Sequence, residues 1–221
     1  MKKLFFVAAL MAVVMGVNAQ EAKKDAIYGV KSGIVTMEMD MMGQTIVQQI
    51  YFDDFGAKQA TVSEFGGNKM RTIVLDGQNV MINEAEKTAT RMPAMGFGGG
   101  RATINYNNLT EQVMKDNKIK ELGEETIAGK ACKKYSVTMD MMGQSMEQTV
   151  WAYKGVVLKT ASESEFGAMG QTATKFEENV TIPASMFTVP EGITVQDMDY
   201  NYDEADYDEA TSDDYAGAVP A

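Results

Sequence analysis

The chain has 221 residues, 20 Lys and Arg against 31 Asp and Glu for a net charge of −11, 19 methionines, one cysteine and no histidine. The missing histidine excludes the Ser-His-Asp triad, the common zinc hydrolase sites and most Cys-dependent hydrolysis. The acidic balance lacks the clustered Lys and Arg on which phosphate affinity depends, so nucleic acid is not an expected partner.

Residues 1–19 join Lys2 and Lys3 to an apolar run from Leu4 to Val17 and a small-residue cleavage site, Val17-Asn18-Ala19, the pattern of a secretory signal peptide. The run is too short for a stable membrane anchor, and no cysteine stands at the cleavage point to accept a lipid. The mature chain is expected to start near Gln20, without a transmembrane anchor, in the periplasm or outside the cell. Residues 20–196 then form one domain with a core of its own. Cys132 stands alone, so no internal disulfide is expected and its thiol reads as a small, buried, unreactive apolar group.

From Ile27 to Val180 the chain alternates apolar and polar residues between closely spaced turn signals, which predicts a run of antiparallel strands. The first strong element is a hairpin around Met42-Gly43. An even loop there sets Met39 opposite Ile46 and Val35 opposite Ile50 on an apolar face, with Asp40 opposite Thr45 on the polar one. Asp40 and Gly43 suit the first and last positions of a type I turn. Further strands are expected at 57–65, 69–75, 79–83 and 87–92. Residues 93–101, with Gly96, Gly98, Gly99 and Gly100, read as a loop; no Gly-Lys-Ser/Thr follows, so a phosphate loop is not expected. Asn108 reads as the cap of a short amphipathic helix at 109–117, with Glu111 completing a capping box.

A strand at 121–127 leads into a second hairpin. Met139-Asp140-Met141-Met142-Gly143-Gln144 repeats Met39-Asp40-Met41-Met42-Gly43-Gln44 letter for letter, 100 residues later. The same register puts Met139 opposite Met146 and Tyr135 opposite Val150, while Thr138 meets Glu147 and Asp140 meets Ser145. Strands at 155–164 and 172–180 bring the expected count to about ten or eleven, and a helical turn is expected at 184–187. From Asp197 onward there are nine acids, no Lys or Arg and few aliphatic residues, so 197–221 reads as a disordered acidic, Tyr-rich tail. Without this tail and the two leader lysines the remaining domain carries −4, close to balance. Asp199 to Asp203 imitates the first half of a calcium loop but lacks the turn glycine and the closing glutamate.

The adjacent carboxylates Asp53-Asp54, Glu124-Glu125 and Glu177-Glu178 point to opposite faces of a strand and cannot share a reacting atom, so they read as solvated charges. The methionines are the unusual constellation. At inward positions they read as adaptable packing against variable apolar ligands. At the tips, Met41, Met42, Met141 and Met142 offer thioether sulfur, which suits Cu(I).

Tyr28-Gly29-Val30-Lys31-Ser32-Gly33-Ile34-Val35, Gly129 to Tyr135, Val150-Trp151-Ala152, Ile182 to Phe187 and Val189-Pro190-Glu191-Gly192 resemble the lipoprotein-carrier superfamily, LolA- and LolB-like, in a secreted branch as found in Bacteroides-like bacteria. The resemblance spans roughly residues 26–195. It implies a curved antiparallel sheet, an incomplete barrel whose concave apolar face is covered by short helices and receives acyl chains, with no catalytic motif.

The expected fold is therefore all-β with minor helix, and the expected function is non-enzymatic binding of a lipid or lipidated protein by a monomer without cofactor. The candidate ligand residues are Val35, Met37, Met39, Ile46, Ile50, Tyr135, Val137, Met139, Met146 and Val150. A Cu(I)-binding envelope module using the tip methionines, or a structural or adhesive surface protein acting through its acidic tail, are the alternatives.

Overall fold

The computed structural model describes residues 26–41, 44–65, 67–75, 77–92, 104–141, 144–164 and 167–197. The expected leader, the Gly-rich stretch, both hairpin tips at 42–43 and 142–143, and the tail beyond Asp197 lie outside these residues.

The architecture is mostly β: one large, open, curved sheet with few helices, not closed into a barrel. Twelve strands are present among the described residues. A first meander comprises β1 (Gly33–Met41), β2 (Gln44–Asp53), β3 (Lys58–Phe65), β4 (Asn68–Leu75), β5 (Gln78–Asn83) and β6 (Thr88–Met92). After the helix α1 (Glu111–Asp116), a second meander runs through β7 (Ile119–Ile127), β8 (Lys130–Met141), β9 (Gln144–Tyr153), β10 (Val156–Ser164) and β11 (Gly167–Glu178). Antiparallel pairing of β1 with β11 joins the two meanders, so the sheet reads β12-β6-β5-β4-β3-β2-β1-β11-β10-β9-β8-β7. The last strand, β12 (Val195–Asp197), pairs parallel to β6 and exceeds the expected count.

Both hairpins take the expected register. Val35 pairs with Ile50, Met39 with Ile46 and Asp40 with Thr45; Tyr135 pairs with Val150, Met139 with Met146, Asp140 with Ser145 and Thr138 with Glu147. The Thr45 hydroxyl donates to the Asp40 carboxylate at 2.7 Å, which ties the first arm on its polar side. The β9–β10 hairpin turns through Lys154 and Gly155, both at positive φ (47° and 83°), the two-residue geometry that suits strand twist. A side chain at position 155 would sit 2.6 Å from the Ile27 carbonyl, so glycine also lets the N-terminal segment pass close by.

Three apolar clusters hold the sheet. The first joins the two meanders through Val35, Met37, Phe52, Cys132, Trp151, Leu158 and Phe176. Phe52 packs edge-on against Tyr28, with ring centroids 4.7 Å apart, and fills the space that Gly33 leaves free. The second cluster consists of Ala60, Ile73, Val80, Ile82 and Ala89, covered by Ile182 and Phe187 from the segment after β11. That segment contains a 3-10 turn at Ala184–Phe187, where a helical turn was expected. In the third, Ile119, Tyr135, Val137, Val150 and Ala152 are covered by Ile104, Tyr106, Leu109 and Met114.

The helix begins later than expected. Thr110, not Asn108, is the cap: its hydroxyl accepts from the Val113 amide at 3.2 Å, while Asn108 bonds through its backbone amide to the Asn105 carbonyl. A threonine two residues further on meets the amide that needs an acceptor, whereas Asn108 is spent on the preceding turn.

Candidate functional site

Residues directly opposed on neighbouring antiparallel strands share a face of the sheet, so the pairing can be followed from strand to strand. One row runs Ile46, Met39, Gln171, Thr160, Val150, Tyr135 through β2, β1, β11, β10, β9 and β8. In the other direction, Val35, Ile50, Thr61, Thr72, Met81 and Thr90 form a row from β1 to β6. The row Met37, Gln48, Ser63, Met70 lies beside it. Both repeats therefore present their apolar residues to the same face, which we call the methionine face.

Along this face the environment changes. Val35 and Met37 are fully buried, and Ile50 packs against them half-buried. Tyr135, Val137 and Val150 are buried beneath the 104–114 segment. Met39, Ile46 and Met146 are half-buried and belong to none of the three clusters. Met139 is placed by its pairing with Met146. Gln48 donates to Gln171 at 2.6 Å, so an amide pair separates the apolar stretches of the two repeats.

Three residues on this face escaped the sequence reading. Met70, Met81 and Met92 lie on β4, β5 and β6, half-buried and outside every cluster. Their common face follows from pairing: Met70 opposes Ser63, Met81 opposes Thr72 and Thr90, and Met92 opposes Asn79. The signal was available, because carrying the register of the first hairpin through the next four turns places each on the Val35 side.

A cavity of about 430 Å³ lies where the 104–114 segment crosses this face, between Tyr106, Leu109 and Met114 above and Lys133, Tyr135 and Ala152 below. The rings of Tyr106 and Tyr135 stand 5.6 Å apart. Burial, with Tyr135 adding to it, pushes the Tyr106 hydroxyl up to about 12, and burial alone does the same to Tyr28. Both phenols stay neutral through the physiological range. Tyr135 is the one candidate ligand residue that lines this cavity.

Elsewhere the chemistry is structural. Burial raises the pKa of the Cys132 thiol, as expected for an unreactive cysteine. Glu178 is not a solvated charge: its side chain is 16% exposed and its carboxylate meets Lys130 and Lys154, with the Lys130 ammonium over the Tyr153 and Phe176 rings. Glu125 accepts from the Trp151 indole at 2.7 Å, which together with Lys159 lowers its pKa. Asp53 caps the 3-10 turn at Asp54–Gly56. Among the described residues no group of three or more His, Cys, Asp or Glu is placed to hold a metal, and no helix is long and apolar enough to cross a membrane. The Cu(I) candidates Met42 and Met142 fall outside the described residues, and Met41 and Met141 are placed only as the strand ends beside them.

No family model and no curated protein sequence matches the chain. Solved structures do. A chain of the Pseudomonas aeruginosa MucA/MucB complex is similar at 13% identity and a TM-score of 0.50, over 75% of this chain and 57% of that one, so this chain spans little more than half of that neighbour. An uncharacterized conserved protein from Thermus thermophilus is similar at 10% identity and a TM-score of 0.50, over 76% and 91% of the two chains. A putative outer membrane lipoprotein-sorting protein domain from Vibrio parahaemolyticus aligns at 13% identity and a TM-score of 0.36, over 71% and 89%. At these identities the likeness to the first two is one of fold alone.

Proposed function

We propose that the protein holds a hydrophobic or amphiphilic ligand, a lipid or the acyl chain of a lipidated protein, against the methionine face and does so without chemical conversion. One observation carries this reading. Met39, Ile46, Met70, Met81 and Met92 share a single face, half-buried, yet belong to none of the packed clusters. Apolar side chains of this kind gain about 25 cal/mol for each Å² that a ligand removes from water. Methionine suits the task because its unbranched thioether adapts to ligands of different outline. The neighbouring threonines, Thr61, Thr72 and Thr90, add methyl groups while keeping a hydroxyl for water or a headgroup.

The candidate residues then divide by role. Met39, Ile46, Ile50, Met139 and Met146 meet the ligand, Val35 and Met37 form the packed floor beside it, and Tyr135, Val137 and Val150 lie under the 104–114 segment. Residues 1–19 would be removed on export, leaving the protein in the periplasm or outside the cell, with 197–221 as its acidic tail.

The test is titration of the delipidated protein with fluorescent fatty acids of increasing chain length. Affinity should rise with each added methylene, by about 0.8 kcal/mol, and hold steady as salt increases. Methyl signals of Met39, Met70, Met81 and Met92 should shift on saturation. Absence of binding, or binding that leaves those methyls unmoved, ends the proposal.

A further inference from the structure

A second site lies on the opposite face. Arg71 in β4 opposes Val62 and Ile82, so it stands on the side covered by the segment after β11. It is 7% exposed and spends Nη1 on three backbone carbonyls of that segment: Ser185 at 2.7 Å, Met186 at 2.9 Å and Thr188 at 3.2 Å. Nη2 meets the Glu84 carboxylate at 2.7 Å. Nε is buried and has no acceptor.

An unpartnered buried donor on a charged group is costly and rare. Nε–H and one Nη2–H leave the same edge of a guanidinium in parallel, at the spacing of the two oxygens of a carboxylate. Glu84 uses only one of the two donors. Its side chain is 60% exposed on the turn after β5, free to swing into solvent. Arg71 and Glu84 line a cavity of about 640 Å³, walled also by Val62, Met186, Val189 and Pro190, with Lys69 as a second cation and Glu191 as a second acid. Cavities of roughly 300–1,000 Å³ are of the size that takes small organic ligands.

We propose that this cavity binds a small monocarboxylate with an apolar body. Its two oxygens bridge Nε and Nη2 of Arg71, its body lies on Val62, Met186 and Val189, and Glu84 yields its place to the incoming carboxylate. Glu84 thus acts as an internal competitor for the site. The binding is independent of the methionine face, which lies across the sheet.

The experiment compares octanoate with octanol by calorimetry on the full chain, alongside the variants Glu84→Gln and Arg71→Lys, and follows the Arg71 Nε–H signal by NMR. Octanoate should bind at least about tenfold more tightly than octanol, the discrimination expected of a charge-assisted bidentate pair. Glu84→Gln should tighten octanoate several-fold and leave octanol unchanged. Arg71→Lys keeps the charge but loses the fork, and should erase the preference. Octanoate should shift the Nε–H signal while the methionine methyls across the sheet stay put, so this site and the methionine face can fail separately. Equal affinity for the two probes overturns the proposal, as does an unmoved Nε–H signal or a Glu84→Gln variant that binds octanoate like the wild type. Should Arg71→Lys fail to fold for want of its three carbonyl bonds, Glu84→Gln and the Nε–H signal still decide.

Discussion

The two copies of the repeated hairpin share a sequence and a register but not an environment. In the first, Val35 and Met37 sink into a cluster shared with Phe52, Trp151 and Phe176, while Met39 and Ile46 stay half-buried and outside the three clusters formed by the described residues. In the second, Tyr135, Val137 and Val150 lie under Tyr106, Leu109 and Met114. Local alternation thus decides which side each residue faces, and segments distant in the chain decide whether that side is sealed. A repeat can supply two arms of one sheet and still have them packed by different neighbours.

The sharpest way to break this comparison is to empty the first copy's core. Phe52→Ala removes a fully buried ring and should cost about 3–5 kcal/mol, read as a drop in the denaturation midpoint. A loss below about 1 kcal/mol would mean that the cluster joining the meanders is not what holds them. Stripping the cover of the second copy comes next. Leu109→Ala with Met114→Ala should cost about 2–3 kcal/mol and raise hydrogen exchange in β8 and β9 while sparing β1 and β2. Equal loss of protection in both hairpins would show that the two arms open as one unit.

Weaker still, Thr110→Ala removes the cap of α1 and should cost about 1 kcal/mol, with its exchange effect confined to the same second arm. Alkaline pH probes both regions at once. Tyr28 packs against the first cluster and Tyr106 against the third, and both phenols are pushed up to about 12 from an ordinary value of 10. The folded state therefore holds these protons more tightly, so the stability they contribute is complete below pH 10 and is lost as pH rises from there through about 12. Phenolate absorbance from these two residues should appear only together with unfolding. The smallest effect on stability belongs to the methionine face: Met81→Lys should change it by less than about 0.5 kcal/mol yet abolish the fatty-acid-induced shifts of the Met39, Met70 and Met92 methyl signals. If those shifts persist, the first meander is not the ligand wall.

Much of the sheet was legible in the sequence, and for a physical reason. Alternation around Met42-Gly43 and Met142-Gly143 admits one register, because a slip of one residue would turn Met39 and Ile46 to the polar side. The covers were not legible. Residues 104–110 and 180–193 have no period to betray which face they meet, and their partners lie distant in sequence. Nor could the strand β12 be foreseen, since three residues, Val195 to Asp197, carry too little pattern to set apart from the acidic run that follows. Residue 197, expected to begin the tail, instead receives a hydrogen bond from Arg91 at 3.0 Å at the close of that strand. Local irregularities were hidden as well: the register shifts beside Thr36 and Val157 depend on how β1, β9, β10 and β11 twist against one another.

The parallel strand β12 has a bearing on self-association. An open sheet offers two rows of unpaired backbone groups on which another chain could build, the usual route to fibrils. Here one margin is capped by a strand only three residues long. The other, β7, is kinked at Gly123, whose φ of 115° breaks the even spacing of its donors and acceptors, and it is studded with Lys120, Glu121, Glu124 and Glu125. Neither margin is a good template, so the sheet can stay open without inviting copies of itself to polymerise.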